Sequence, residues 1–375
     1  MRIALATWFP RDPAAPHGGV EAVSLNLTRA LAQVEGTEVH VVTFDGNISA
    51  SEHTEWSGAS IHRLPRPSGS LLPFACGEGR RKLHEFLHRL EPDVVHAHDT
   101  FGIMTRGLPM PRVFTIHGFI HEDTRLKNGW QNRVRAALWK REELATWSEQ
   151  PHIISISPYV RERLRGIASG VIHDIENPVD PACFDVPRRA EAGRILSAAV
   201  ICHRKNQQAL VDAVAMLGPS SSASLRIAGP VTDTEYGARL KASIKDHRIS
   251  ERIGLLGRLS AHEIRNELSM ATVFALCSFE EGAPMGIAEA MAAGVPIVTS
   301  NRCGMPYMVR DGESGFLVDP QNTEQIRDRI GDVLADNSLR HAFGANARAF
   351  AHDRFHPSRV SERTMRVYRA ARDGR

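Results

Sequence analysis

The stretch VFALCSFEEGAPMGIAEAMAAGVPIVTS, residues 273–300, indicates the order strand, loop, helix, strand. Apolar VFALCS predicts a buried strand, and residues 279–285 predict a loop. IAEAMAAG predicts a helix that starts near Ile287 and ends at Gly294, and VPIVTS predicts the next strand. Strands connected through a helix in this way run parallel in one sheet. The stretch is therefore typical of an α/β fold.

The loop of this stretch has a backbone suited to an anion. Gly282 and Gly286 allow close approach, Pro284 stiffens the chain, and the N terminus of the following helix attracts negative charge. Glu281 and Glu289 flank this loop, and a carboxylate would repel an anion unless it binds something else. Sugar hydroxyls are suitable partners, as in dinucleotide folds where an acidic residue binds a ribose. The alternative is purely structural: helix charge complementarity for Glu281 and an exposed helix position for Glu289.

The same alternation of β-rich and amphipathic segments extends along the whole chain and predicts two similar domains. The strand candidates are RIALATWF, EVHVVTF, SIHRLP, DVVHAH, RVFTIH and HIISIS in the first half, and RILSAAVI, SLRIAG, IGLLG, VFALCS, PIVTS and GFLVD in the second. Residues 175–193 are rich in proline and charge, as interdomain linkers are. We predict two doubly wound parallel-sheet domains, residues 1–180 and 181–352, facing a central cleft. Residues 353–375 would form a C-terminal helix that returns to the first domain.

Composition limits the functional classes. The 375 residues carry a formal net charge of only +3, which does not favour nucleic acid as a partner. Five cysteines without CxxC spacing indicate neither a disulfide framework nor a zinc site. The N-terminal apolar run lacks a following cleavage site, and no apolar segment approaches the length of a membrane span. The expected location is the cytoplasm.

Further candidates follow other predicted strands. Gly18 and Gly19 precede a helix, where paired glycines admit an anion but are also common in ordinary turns. Arg204 and Lys205 lie in the loop after the first strand of the second half, where two cations suit a diphosphate or simply form a solvated basic turn. The remaining candidates in loops of the second half are Gly229, Arg258 and Leu259.

Histidines end two strands of the first half. His98 with Asp99, and His117 with Gly118, lie where a side chain can orient a hydroxyl, although a lone histidine is more often a polar cap. The HxH spacing of His96 and His98 suggests zinc, but no third ligand follows at a matching spacing, so we expect no metal. Residues 125–147 form a basic amphipathic segment with three tryptophans. Such a segment either contacts an anionic membrane surface or packs as a solvated helix through its tryptophans.

In combination these motifs resemble the retaining nucleotide-sugar glycosyltransferases of family four, which have the GT-B fold of two Rossmann-like domains. The resemblance covers nearly the whole chain. Its most specific part is the E-x7-E signature, matched by EGAPMGIAE from Glu281 to Glu289. The motifs HGG, HAHD, TIHG, ENPVD, RKNQQALVDA and IAG follow in the family's order.

The resemblance implies a role for each candidate. Glu289 would bind the nucleotide ribose, Glu281 a hydroxyl of the donor sugar and Lys205 the diphosphate, and His117 would face donor sugar and acceptor. The predicted catalytic residues are His117, Lys205 and Glu281, and the acceptor-binding residues are His98, Asp99, His117 and Gly118. The predicted donor-binding residues are Gly18, Gly19, Arg204, Lys205, Gly229, Arg258, Leu259, Glu281, Gly282, Ala283, Pro284, Met285, Gly286, Ile287 and Glu289.

Two positions depart from the family's pattern. Val200 stands near where many members have an arginine, and Arg204 can supply that charge; Pro284 replaces the second glycine of EGFG and removes one N–H from the loop. The expected activity is transfer of a hexose-type sugar from a UDP- or GDP-sugar to a hydroxyl of a glycan, lipid-linked sugar or small metabolite, without a metal cofactor. Sugar-nucleotide epimerase, glycoside hydrolase and non-catalytic carbohydrate-binding protein remain alternatives. Peripheral membrane contact through residues 125–147 is a further expectation.

Overall fold

The chain forms two compact units. The computed structural model describes residues 1–125 and 129–374. The first unit contains Met1–Arg11, Pro16–Pro178 and Pro357–Arg375, and the second contains Asp12–Ala15 and Val179–His356. These borders differ by a few residues from the predicted 180/181 and 352/353. The Val179 N–H donates to the Phe355 carbonyl at 3.0 Å, which keeps both residues in the second unit.

The first unit is built on an eight-stranded sheet. Its strands are β1 (Arg2–Ala6), β2 (Glu38–Asp45), β3 (Glu52–Trp56), β4 (Ala59–Pro65), β5 (Val94–His98), β6 (Arg112–Ile116), β7 (His152–Ser155) and β8 (Val171–Asp174). Its first seven helices are α1 (Gly19–Ala32), α2 (Leu71–Cys76), α3 (Glu78–Leu90), α4 (Phe101–Met104), α5 (Ile120–Arg125), α6 (Trp130–Glu149) and α7 (Pro158–Leu164). The strand order is β3-β4-β2-β1-β5-β6-β7-β8, and all pairs except β3 with β4 are parallel.

The second unit is built on a six-stranded parallel sheet. Its strands are β9 (Arg194–Ala198), β10 (Ser224–Ala228), β11 (Ile253–Gly257), β12 (Val273–Leu276), β13 (Ile297–Ser300) and β14 (Gly315–Val318). Its helices are α8 (Gln207–Met216), α9 (Thr234–Asp246), α10 (Ala261–Met270), α11 (Met285–Ala292), α12 (Thr323–Ala335) and α13 (Asn337–Arg354). The strand order is β11-β10-β9-β12-β13-β14.

Both strand orders reverse direction at one point, as in doubly wound folds. The chain first builds outward from β9 through β10 to β11, then returns to place β12 on the other side of β9. In the first unit β5 returns to the free side of β1 in the same manner. Ligands of open α/β sheets bind at the carboxyl ends of the strands beside such a switch point. The fold therefore directs attention to the loops after β1 and β5, and to those after β9 and β12.

The twelve predicted strands are all present, but β3 and β8 were missed. β3 has the sequence EHTEW and is largely exposed, so it lacks the apolar run that identifies a buried strand. It pairs antiparallel with β4, which makes the first sheet mixed rather than wholly parallel as predicted. β8 has the sequence VIHD and also has no fully buried residue. Edge strands of this kind carry little hydrophobic signal.

The last helix, α14 (Pro357–Arg372), packs in the first unit. Tyr368 is fully buried, and its hydroxyl forms a 2.6 Å hydrogen bond with His96 Nδ1 on β5. Val360 and Met365 join the same core as Leu5 on β1. Residues from the two ends of the chain thus share one hydrophobic core.

The segment 125–147 is not one continuous helix in the described chain. α5 ends at Arg125, α6 begins at Trp130, and residues 126–128 lie outside the described range. Trp139 and Trp147 are buried, whereas Trp130 is 73% exposed. In the described part of the chain no helix is both long and apolar enough to cross a membrane.

Candidate active site

Lys205, Arg204 and Glu281 form a cluster at the switch point of the second unit. Arg204 and Lys205 lie in a short 3-10 turn after β9, and Glu281 lies in the loop after the adjacent strand β12. Glu281 Oε1 forms an ion pair with Lys205 Nζ and lies 3.2 Å from Arg204 Nη1. The structure thus brings Glu281 next to two cations that lie 77 and 76 positions earlier in the sequence.

The cluster holds two cations in a partly buried position. Lys205 and Glu281 are only 9% and 8% exposed, so their interaction is weakly screened by water. Two cations, Lys205 and Arg204, contact the carboxylate of Glu281 at the carboxyl ends of β9 and β12. Cations at a partly buried site can bind an anionic ligand through charge-assisted hydrogen bonds.

Two residues that the sequence analysis did not single out fix the geometry of this cluster. Asn206 has a left-handed backbone (φ 53°), and its Nδ2 donates to the carbonyls of Cys277 (3.1 Å) and Pro320 (2.8 Å). The Gly304 N–H donates to the Glu281 carbonyl at 2.8 Å. Asn206 therefore anchors the loop after β9, and Gly304 supports the loop after β12. An asparagine directly after the two cations was the only available signal for Asn206.

Helix α11 begins at Met285, two residues earlier than predicted. Pro284 occupies the N-cap position without a side-chain capping bond. The first backbone N–H groups of a helix have no intrahelical partner, so this end attracts an anion. Gly286 is needed for packing, because a Cβ there would lie 2.9 Å from the Ala198 carbonyl oxygen at the end of β9. This close contact places the start of α11 beside the turn that carries Lys205.

Glu289 lies in a different environment from Glu281. Burial, together with the nearby charge of Asp180, raises the pKa of Glu289 to about 7, although Arg265 opposes this shift. Arg265 itself forms a 2.9 Å ion pair with Asp180. Glu281 forms ion pairs with Lys205 and Arg204, whereas burial raises the pKa of Glu289 to about 7. The two acids of the E-x7-E signature are therefore chemically distinct.

The structure connects the remaining predicted residues of the second unit less directly to the cluster of Lys205, Arg204 and Glu281. Gly229 follows β10 and has φ 144°, and a Cβ there would lie 2.0 Å from the Ala199 carbonyl oxygen, so glycine is required by the backbone. Arg258 and Leu259 follow β11, which β10 separates from β9. Nothing in the described structure joins Arg258 to the Lys205 cluster. Gly282, Ala283 and Ile287 lie in or directly after the loop that carries Glu281.

In the first unit the side chains of His98 and His117 are hydrogen-bonded to each other. His98 is the last residue of β5, and His117 directly follows the adjacent strand β6. His98 Nδ1 lies 2.8 Å from His117 Nε2. Burial lowers the pKa of His117 to about 4 and that of His98 well below its usual value, so both rings are neutral at neutral pH. One neutral ring must then donate and the other accept. The tautomers of the two rings are therefore coupled, and His117 Nδ1 forms no hydrogen bond within the described chain.

Asp99 and Gly118 extend this site. Asp99 has a left-handed backbone (φ 52°), and burial together with the charges of Glu143 and Asp123 raises its pKa to about 7. Gly118 is exposed, and a Cβ there would meet no atom. Glu143, which the sequence analysis missed, accepts hydrogen bonds from the backbone N–H groups of Ile120 and His121 at 2.9 Å each. It fixes the turn that follows His117.

Gly18 and Gly19 lie at the start of α1. Gly18 is the N-cap with extended backbone and makes no side-chain capping bond, and a Cβ at Gly18 would meet no atom. The N terminus of α1 is thus uncapped, as is that of α11. Across residues 1–125 and 129–374 no three His, Cys, Asp or Glu side chains are grouped so that they could hold a metal ion.

Comparison with known proteins gives consistent matches for both units. The family described as Glycosyltransferase Family 4 matches residues 17–182, and Glycosyl transferases group 1 matches residues 184–350. An uncharacterized glycosyltransferase of Methanocaldococcus jannaschii is 25% identical over 99% of this chain and 98% of its own length. Sucrose-phosphate synthase from Thermosynechococcus elongatus has a TM-score of 0.85 at 20% identity, with 100% of both chains covered. HepE of Anabaena, solved with UDP and glucose, has a TM-score of 0.74 at 18% identity over 99% of this chain and 100% of its own.

Proposed function

Because the chain belongs to the group 1, family 4 glycosyltransferases, we propose that it transfers a hexose-type sugar from a UDP- or GDP-sugar to an acceptor hydroxyl with retention of configuration. The GT-B fold predicted from sequence is confirmed by the two α/β units and their structural relatives. The retention of configuration, the identity of the donor and the identity of the acceptor are the parts of this function that we propose.

The cluster of Lys205, Arg204 and Glu281 carries this proposal. It holds two cations, it lies at the carboxyl ends of the two strands beside the switch point, and it adjoins the uncapped N terminus of α11. A nucleoside diphosphate needs this combination of cations and backbone N–H groups. Glu281, held by the two cations, presents its carboxylate to a donor-sugar hydroxyl, and Glu289 accepts hydrogen bonds from the ribose.

The proposed mechanism is mainly electrostatic. As the bond between the sugar and the diphosphate breaks, negative charge develops on the leaving phosphate, and Lys205 and Arg204 stabilise it in the transition state. The acceptor attacks from the face that the diphosphate leaves, and a phosphate oxygen takes its proton. His117, which is hydrogen-bonded to His98 through Nε2, provides Nδ1 to position a sugar hydroxyl. These cations meet the charge of the diphosphate without a metal ion.

The direct test is turnover of nucleotide sugars. Thermal shifts with UDP, GDP, ADP and dTDP select the base, and the matching sugar nucleotides are then assayed with and without hydroxyl acceptors in the presence of EDTA. We expect nucleotide release that depends on one base, persists in EDTA, and yields a product whose anomeric configuration by NMR equals that of the donor. An isomerised donor without acceptor would indicate an epimerase, and sugar release from a glycan without nucleotide would indicate a hydrolase. An inverted product would overturn retention.

The pKa of Glu289 predicts a pH-dependent donor affinity. With a pKa of about 7, this carboxyl group is mostly protonated below pH 7 and ionised above it, and the ionised form is the better acceptor for ribose hydroxyls. The affinity for the intact nucleotide sugar is therefore expected to rise about tenfold from pH 6 to pH 8. Calorimetric titration measures this, and the intact donor is used because its diphosphate diester does not titrate in this range.

The variant Glu289→Gln provides the control. Its amide does not titrate, so its donor affinity should be constant over the same pH range. A 2′-deoxyribose donor should bind Glu289→Gln and the unchanged protein with similar affinity if Glu289 binds that hydroxyl. An equal pH dependence in both proteins would refute the assignment of Glu289 to the ribose.

A further inference from the structure

A cavity of about 540 Å³ lies between α5, α6 and α7 of the first unit. The small side chains of Ala136 and Ala137 on α6 leave this space open, and Leu144, Trp147 and Ile167 provide further apolar wall. Its volume is within the range of small-molecule binding sites. Four cations, one carboxylate and the imidazole of His121 complete the lining.

The charges of this cavity are unbalanced. Arg163 forms an ion pair with Glu122, and the neighbouring His121 Nδ1 lies 2.7 Å from Glu143 Oε2. Arg125, Arg133 and Lys140 are exposed, and within residues 1–125 and 129–374 none of these three has an ion pair or a hydrogen bond through its side chain. Three positive charges therefore converge on an apolar cavity without an acidic partner among the described residues.

The arrangement on α6 is regular. Arg133, Ala137, Lys140 and Leu144 recur every three or four residues, so they lie on one face of the helix. That face alternates charged and apolar groups along the cavity. A second stripe, formed by the exposed Trp130, Val134 and Leu138, runs beside it with the same spacing. A ligand with an anionic head and an apolar portion matches both features.

The cavity also adjoins the predicted acceptor residues. Buried Trp147 lines it on one side and on the other lines a small cavity of about 10 Å³ together with Asp99, His117 and Gly118. Glu143, which binds the turn after His117, also binds His121 at the cavity wall. A ligand in the large cavity is thus one side chain away from the histidine pair.

We propose that this cavity binds the phosphate-bearing part of the sugar acceptor, with Arg125, Arg133 and Lys140 on the phosphate and the alanine face against an adjoining apolar portion. The assignment of the ligand as the sugar acceptor rests on the proposed function. The binding of a phosphate group in this cavity does not depend on it. A phosphorylated soluble metabolite and a lipid phosphate present the same chemistry to these side chains. The apolar stripe of Trp130, Val134 and Leu138 is where a lipid chain would continue.

The test uses two probes on the full chain. Glycerol 3-phosphate is titrated by calorimetry, and vesicles of phosphatidylcholine with and without phosphatidic acid are tested by co-sedimentation. We expect Arg133→Ala/Lys140→Ala to weaken binding of the favoured probe about 100-fold, because two charge-assisted contacts are lost. The matched control is Arg135→Ala/Arg141→Ala on the same helix, which removes the same charge outside the cavity and should retain binding. Equal loss in both double variants would show non-specific attraction and overturn the site.

A third variant separates shape from charge. Ala137→Phe keeps every cation but fills the cavity, and it should also abolish probe binding, whereas Leu138→Phe on the neighbouring position should not affect binding of glycerol 3-phosphate. Failure of both probes to bind the unchanged protein overturns the proposal. Hydrolysis of the nucleotide sugar without acceptor is measured in parallel. If hydrolysis is present and phosphate binding absent, the cavity assignment fails alone; if phosphate binding is present and nucleotide-sugar turnover absent, the proposed function fails alone.

Discussion

Replacing Lys205 by methionine is expected to lower kcat for the nucleotide sugar by about 10²–10³-fold, as is usual when one group that stabilises developing charge is removed. Lys205 is 9% exposed and forms an ion pair with Glu281. Methionine has a similar length, so it fills the same space without the charge. The leaving diphosphate then loses the stabilisation expected from this buried cation. Steady-state kinetics with the donor identified by the nucleotide screen measures this effect.

The same substitution also affects folding, and a double variant separates the two effects. Without Lys205 the carboxylate of Glu281 keeps only Arg204, and an underpaired buried charge costs about 3 kcal/mol of unfolding free energy. In Lys205→Met/Glu281→Gln the buried charge is gone, so most of that stability should return in urea unfolding while kcat stays low. Recovery of turnover in the double variant would show that neither the Lys205 cation nor the Glu281 carboxylate is needed for the reaction.

The control for Lys205 is Lys241→Met on α9. Lys241 is exposed in the same unit, so the substitution makes the same chemical change away from the cluster. Its effect on unfolding is expected to stay within about 0.5 kcal/mol, and turnover should not change. A comparable loss of kcat in this variant would point to a general charge effect.

The fold could be predicted because most of its strands are marked by short apolar runs in the local sequence. Each core strand of the second unit is a short apolar run, and every one was identified, since burial on both faces of a parallel sheet requires such runs. β3 and β8 were missed because their burial, and hence their composition, depends on neighbours that the sequence does not reveal. The start of α11 was misplaced because Pro284 serves as an N-cap, and a helix there can begin one residue after the proline.

The candidate site was predictable only in part. Lys205 and Glu281 were chosen separately from sequence, and the structure shows that they are paired. The bond between His98 and His117 depends on the register of β5 and β6, which no motif specifies. Asn206, Glu143 and Gly304 act through long-range backbone contacts, so their residue types alone carried no functional signal.

Replacing Gly304 by alanine is expected to have the second large effect. An added Cβ would lie 1.7 Å from the Gly282 carbonyl oxygen and 3.0 Å from that of Glu281, and both atoms are backbone. Backbone does not move aside as a flexible side chain does, so the loop from Phe279 to Pro284 must shift. We expect a loss of about 3 kcal/mol in the stability of the second unit and about 100-fold in kcat, because Glu281 moves away from the position fixed by the Gly304 N–H.

Gly331→Ala is the matched control for this prediction. Gly331 lies inside α12 of the same unit, and a Cβ there would meet only Leu217 Cδ2 at an ordinary 3.6 Å. The same substitution should therefore raise stability by about 1 kcal/mol, since alanine is the better helix former, and leave turnover unchanged. In urea unfolding the same substitution is thus expected to lower stability at Gly304 and to raise it at Gly331, and in donor kinetics it should lower kcat only at Gly304. If Gly304→Ala unfolds at the same urea concentration as the unchanged protein and retains kcat, the loop after β12 is not held by this contact, and the position of Glu281 must be fixed by Lys205 and Arg204 alone.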